Sequence, residues 1–458
     1  MHVPAAAVNA EVGEAKAQSL SYVVLLAAAT SMSGFLFGFD TAVINGVLLL
    51  LRHQFSLSNL QTEIAASSLL LGCLLGAAAA SMIGDRYGRR KSLVASALLF
   101  AFSSIGAALA STVMIFSAAR LFGGLAIGLA SVLTPVYIAE ISPSRNRGAL
   151  VSLNQLAIVI GILSAYLVNW QLARLGESSW RWMLAVAAIP SIAFLFGLLL
   201  IPESPRWLIS IGRHHQGERV LARIFGEEIA KQQVEVVEQA VAGEEGSWHE
   251  VLSPNMRKRL AVGMLLALFS QITGINTVLY YGSIIVSEHF PGQSTSIALI
   301  ANVIIGTVNF LLTIVAMIFL DRWGRRAILM IASGGMAVAL TFLVIGLNVG
   351  VSPLLMLASI LLYVAFFALG MGPGPWLIIS EIFPTKVRGR AASIATSTLW
   401  SGTLLVTFTF LTLVKILNLW GTFAIYGVLS GLCCIFVWKM VPETKGRTLE
   451  QIQQAWSK

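Results

Sequence analysis

The sequence predicts an all-α membrane protein, with twelve transmembrane helices in two six-helix bundles plus cytoplasmic amphipathic helices between them. Three observations carry this: a composition too apolar for water, charge-free runs of spanning length, and a motif series that occurs twice in one order. Of 458 residues, 57% are hydrophobic and only 11% are Asp, Glu, Lys or Arg, whereas a soluble domain carries about a quarter charged residues. That supply cannot make a water-facing surface.

A helix needs roughly 20 apolar residues to cross the hydrocarbon core, and residues 17–39, 64–84, 121–139, 260–287 and 391–414 each qualify. Residues 92–119 fold back near Ser111 and Thr112. Residues 327–380 break across 348–353, where Gly350 and Pro353 supply turn chemistry. Twelve spans result, and the short alternating segments of a β-barrel are not seen. The polar start, residues 1–18, has no apolar core of its own, and the run after it is long enough to span rather than be cleaved. Cys73, Cys433 and Cys434 lie in apolar segments without CxxC spacing, as packing residues do.

Basic residues crowd on one side, in 85–91, 145–147, 257–259, 321–326 and 386–390, and that side is expected to be cytoplasmic. An even number of spans then puts both termini inside, in a multi-pass protein of the plasma (inner) membrane. The net charge of +9 reflects this topology, and nucleic-acid binding is a poor reading of it. The predicted parts are a cytoplasmic tail over 1–20, a first bundle over 21–202, a linker of amphipathic helices over 203–256, a second bundle over 257–441 and a tail over 442–458.

The halves repeat. Asp85-Arg86-Tyr87-Gly88-Arg89-Arg90 recurs as Asp321-Arg322-Trp323-Gly324-Arg325-Arg326, Glu140-Ile141-Ser142-Pro143 as Glu381-Ile382-Phe383-Pro384, and Pro202-Glu203-Ser204 as Pro442-Glu443-Thr444, at nearly one spacing. Parallel repeats imply two bundles with a site near the midplane, reached by rocking one bundle against the other.

Charges inside a span are costly and usually functional, and two sit well away from the span ends: Asp40 and Arg120. At about 1.5 Å of rise per residue they lie at one depth, roughly 10 Å below the outer surface. A neighbouring cation favours the ionised carboxylate, and desolvation away from it favours the neutral acid. Asp40 therefore has the makings of a proton site modulated by Arg120. The alternative is an inert buried ion pair joining the first and fourth spans.

These motifs resemble the sugar porter family of the major facilitator superfamily, which includes bacterial proton–sugar symporters and facilitative glucose carriers. The resemblance runs from about Gly34 to Arg447. It is carried by Gly38–Ile44, the two Asp-Arg-x-Gly-Arg-Arg loops, Arg120–Gly124, Pro135–Glu140, Pro202–Trp207, Gln271–Asn276 and Pro442–Gly446. It implies the major facilitator fold and a secondary active transporter importing a monosaccharide, hexose or pentose, by proton symport. The partners implied are a small sugar and the lipid bilayer. The coupling ion is H+, with no cofactor, no metal and no obligate protein partner. A proton-independent facilitator or a transporter-like nutrient sensor is the alternative. No nucleophile–base pair, metal cluster or phosphate loop suggests an enzyme.

A sugar pocket wants amides for paired hydrogen bonds and an aromatic face for the C–H side. By matched motif position these are Gln155, Gln271, Asn276, Asn309, Trp376 and Trp400, with Gly274 expected to loosen the seventh span between the second and third. For any one intramembrane amide, a helix–helix hydrogen bond is the alternative. Ser270, Leu399 and Ile162 stand where relatives carry further polar residues. The resemblance also implies a cytoplasmic latch between bundles: Glu140 with Arg147 and Arg89 or Arg90, and Glu381 with Arg388 and Arg325 or Arg326. Asp85 and Asp321 stand beside it, and Glu203 and Glu443 are expected to cap neighbouring helices. The alternative is pairing within each bundle only. Tyr280 and Tyr281 resemble an extracellular gate, with core packing as the alternative.

Overall fold

The computed structural model describes residues 20–143, 146–242, 248–289, 295–350, 352–383, 387–443 and 445. The helices of the first bundle are α1 (Leu20–Gln54), α2 (Asn59–Tyr87), α3 (Arg89–Ala108), α4 (Val113–Ile141), α5 (Arg147–Leu172), α6 (Ser179–Ala185) and α7 (Ala188–Leu200), the last two forming one crossing. The connecting helices are α8 (Pro205–Ser210), α9 (His214–Phe225), α10 (Glu227–Ala242) and α11 (Trp248–Val251). The second bundle holds α12 (Pro254–Ile272), α13 (Ile275–His289), α14 (Thr295–Trp323), α15 (Arg325–Val349), α16 (Pro353–Phe366), α17 (Gly374–Ile382) and α18 (Arg388–Met440). The seventh crossing thus begins at Pro254, inside the stretch expected to be linker. The tail over 1–20, except its last residue, and most of that over 442–458 lie outside the described residues.

Eleven helical segments among the described residues are long and apolar enough to cross a membrane. The last is 52 residues long and contains Asn418 at φ 61°, a left-handed value that Asn tolerates better than most residues. The chain bends there and crosses twice, which makes twelve. The turn near Ser111 and Thr112 lies between α3 and α4, where Thr112 Oγ1 accepts from the Ile115 N–H at 3.2 Å. The second expected break ends α15 at Gly350, left-handed at φ 75°, and restarts the chain with Pro353 in the first turn of α16.

Apolar side chains give helices no reason to associate inside lipid, so close backbone packing does that work. Between α2 and α4 the contact is reciprocal. A Cβ on Gly124 or Gly128 would fall on the carbonyl oxygen of Leu69 or Cys73, and one on Gly72 or Gly76 on that of Leu121 or Leu125. The linker helices sit at the charged end of the first bundle, where Trp207 Nε1 donates to the Asp85 carbonyl at 2.8 Å. Ile209, Leu221 and Ala230 form a small core among them, with His214 and Glu238 paired at 2.6 Å.

Candidate functional site

The first span does not stop at Asp40. Because α1 continues to Gln54, the carboxylate is carried mid-helix, 4% exposed, against an Arg120 that is 2% exposed on α4. Arg120 Nη1 donates to Asp40 Oδ1. The pairing is end-on: Asp40 Oδ2 and Arg120 Nε and Nη2 have no hydrogen-bond partner among the described residues. A bidentate pair would hold two parallel bonds, so this contact is easier to part. Thr41, the next residue, lines the central cavity.

That cavity has a volume of about 80 Å³, a largely closed space well below the roughly 300–1,000 Å³ of open small-molecule sites. It draws on both bundles. Gln155, Gln271, Asn276, Asn309, Trp376 and Trp400, the six residues expected to contact substrate, all line it. Local backbone breaks aim them. The seventh crossing ends a helix at Ile272, passes Gly274 at φ 95°, and restarts at Ile275; a side chain at Gly274 would strike the Tyr426 ring. The tenth crossing forms a π-turn over Phe367–Met371, in which the Gly372 N–H donates to the Phe367 carbonyl at 2.9 Å. Such turns widen a helix locally, and Trp376 follows on α17.

The second-bundle wall is pre-ordered. Gln271 Oε1 accepts from Asn276 Nδ2 at 2.7 Å and from Thr403 Oγ1 at 3.1 Å, while its Nε2 donates to Ser270 Oγ at 2.9 Å. Ser270 is thus an anchor for Gln271 rather than a simple loss of polarity. Trp400 Nε1 reaches Ser131 Oγ on α4 at 3.3 Å, and its ring lies 5.1 Å from that of Phe37 on α1. Apolar Ile162 and Leu399 complete the lining.

At the charged end, Arg89 pairs with Glu140 at 3.1 Å and with Asp85 at 3.2 Å. Arg90 does not join them. Its Nε and Nη2 donate to the Leu198 and Leu199 carbonyls at the end of α7, both at 2.8 Å, where helix carbonyls lack partners. Glu203 accepts the Arg90 backbone N–H at 2.8 Å, at the start of α3. The second bundle repeats this: Glu443 accepts the Arg325 and Arg326 N–H groups at 3.0 and 3.2 Å, and the Arg326 guanidinium donates to the Trp438 carbonyl. Each of these contacts stays within its own bundle, the arrangement given above as the alternative to a cross-bundle latch. The side chains of Arg147, Asp321, Glu381 and Arg388 lie outside the described ones.

Tyr280 and Tyr281 face different surroundings. Neighbours on a helix diverge by about 100°: Tyr280 lines the cavity, whereas Tyr281 turns back into its own bundle, donating to the Thr407 carbonyl at 2.7 Å and stacking on Phe410. Hydrogen bonds between bundles at this end include those of Asn45 and Glu63, which sequence reasoning missed, and that of the Tyr166 hydroxyl to the Leu279 carbonyl at 3.2 Å. The Asn45 amide bridges one turn of α13, donating to the Leu279 carbonyl at 2.9 Å and accepting from the Ser283 N–H at 2.9 Å. Asn302 on α14 donates to Asn45 Oδ1 at 3.2 Å. The available signal was an Asn within an otherwise apolar span, alone in α1 and beside Asn309 in α14.

Two bundles of crossing helices around a cavity of amides and tryptophans define a secondary transporter of the major facilitator fold, a multi-pass membrane protein and not an enzyme. Residues 26–456 match the family "Sugar (and other) transporter", and the chain belongs to that family. It is 38% identical to the arabinose-proton symporter of Bacillus subtilis, covering 97% of each chain. With the D-xylose-proton symporter of Escherichia coli the identity is 37%, over 95% of this chain and 96% of that one. The solved proton:xylose symporter XylE bound to 6-bromo-6-deoxy-D-glucose superposes with a TM-score of 0.84 at 36% identity, over 95% and 99% of the two chains.

Proposed function

We propose that this protein imports a monosaccharide, pentose or hexose, together with a proton, by alternating access of the central cavity. The observation that carries the reading is the buried, end-on Asp40–Arg120 pair one residue from a cavity wall of Gln155, Gln271, Asn276, Asn309, Trp376 and Trp400. Away from Arg120, Asp40 holds a proton because desolvation favours the neutral acid; beside it, the ionised form is favoured and the proton leaves. A carboxylate at this position favours symport over a downhill facilitator. The relatives named for arabinose and xylose support a pentose, as does the apolar surface that Ile162 and Leu399 give the cavity. The charged end is cytoplasmic in this reading, with both termini there, and the membrane is the plasma membrane.

The test is a panel of radiolabelled sugars in proteoliposomes, with and without an imposed pH gradient. The expected result is gradient-dependent accumulation of at least one pentose or hexose, abolished by Asp40→Asn with sugar exchange retained. Uphill accumulation by Asp40→Asn would sink the coupling role, and a flat response to every sugar would sink the substrate class.

A further inference from the structure

Glu63 looks like a loop residue when spans are drawn between charges, yet it lies one turn inside α2 and is 1% exposed. Its two carboxylate oxygens are met by donors from the opposite bundle rather than by a cation. Oε1 accepts the backbone N–H of Thr412 at 2.7 Å, and Oε2 accepts Thr412 Oγ1 at 2.8 Å, both from α18. A buried carboxylate is costly unless strong hydrogen bonds replace its water. Here those bonds exist only while the two bundles touch at the far end.

We propose that Glu63 is an outer latch: its carboxylate holds α2 to α18 when the cavity is shut from the outside, and is released to water as the outer ends part. Water takes over as partner on opening, so the latch biases a two-state equilibrium rather than locking it. It positions the bundles and does not touch the sugar. The proposal rests on the alternating-access reading above and adds a residue to it.

Pulsed electron-paramagnetic-resonance distances between spin labels at Leu60 and Lys415, both exposed at the ends of the joined helices, report the outer opening in liposomes. Cys73, Cys433 and Cys434 are first replaced by alanine. Glu63→Ala is expected to raise the ratio of open to closed populations roughly fivefold or more, Glu63→Gln less, and Thr412→Val in the same direction. The double variant Glu63→Ala/Thr412→Val should open no further than Glu63→Ala alone. Unchanged distances in Glu63→Ala and Thr412→Val that elute as monodisperse protein would overturn the latch. If Glu63→Ala does not fold, Thr412→Val decides alone. Shifted distances in a protein that carries no sugar would leave the latch standing and remove the sugar reading.

Discussion

The charged end of the molecule and its centre are built by different rules. At the charged end each bundle does what the other does: Glu203 receives the Arg90 N–H at the start of α3 as Glu443 receives the Arg325 and Arg326 N–H groups at the start of α15, and Arg90 closes α7 as Arg326 closes the end of α18. The centre divides the work. The first bundle supplies the ion pair Asp40–Arg120, and the second supplies the linked amides Gln271 and Asn276 with Thr403. Duplication thus serves what both halves need, a rigid base for each bundle. A coupling group is needed once and the first bundle carries it, while most of the polar binding wall falls to the second, with Gln155 facing it from the first.

If the centre is divided in this way, damage to one half should spare the task of the other. The largest effect is expected from Arg120→Ala. Asp40 then stays buried without its cation and keeps its proton, so gradient-driven accumulation should fall to none while sugar exchange across the vesicle membrane continues. Loss of both together would mean that the pair only holds α1 to α4. Next comes Gln271→Ala, which removes a proposed substrate partner, leaves Asn276 without its acceptor and leaves Thr403 only the Leu399 carbonyl. Lost hydrogen bonds of about 1.5–3 kcal/mol correspond to a roughly 10- to 150-fold rise in apparent KM. Proton dependence should persist, and uptake kinetics at several pH gradients would report both.

Much of this division was legible before any coordinates. Asp40 and Arg120 stand out because a charge in an apolar span has no other easy explanation, and their equal depth follows from helical rise alone. The break at Gly274 follows from glycine. What stayed hidden depends on where a helix begins and which way it faces. Glu63 was lost because the span was started after the charge, although Ser58 and Gln61 form a capping box that starts α2 earlier. Adjacency in sequence likewise conceals the divergence of Tyr280 and Tyr281 around α13. Arg90 was grouped with Arg89, and only the packing of α7 against α3 reveals the carbonyls it serves. Ser270 looked like a deletion of polarity until its bond to Gln271 was visible.

The duplicated end makes a different prediction. Glu203→Ala and Glu443→Ala should each cost about 1–2 kcal/mol, the scale of a lost N-terminal cap, and should cost nearly the same. Thermal unfolding in detergent compares them directly, and substrate preference should not move. A large disparity would mean that the two bundles are not equivalent scaffolds.

The smallest effect should come from Thr403→Val at the edge of the binding wall. Valine keeps the shape and removes one hydroxyl, whose single proton is shared between Gln271 Oε1 and the Leu399 carbonyl. Gln271 still has Asn276 as donor and Ser270 as anchor, so its amide stays oriented and only a second tether is lost. One neutral hydrogen bond of about 0.5–1.5 kcal/mol gives roughly a two- to tenfold rise in apparent KM, with the maximal rate and the proton dependence unchanged. A loss as large as that of Gln271→Ala would move Thr403 from the tether to the sugar itself, and would show that α18 contributes a direct substrate contact alongside Trp400.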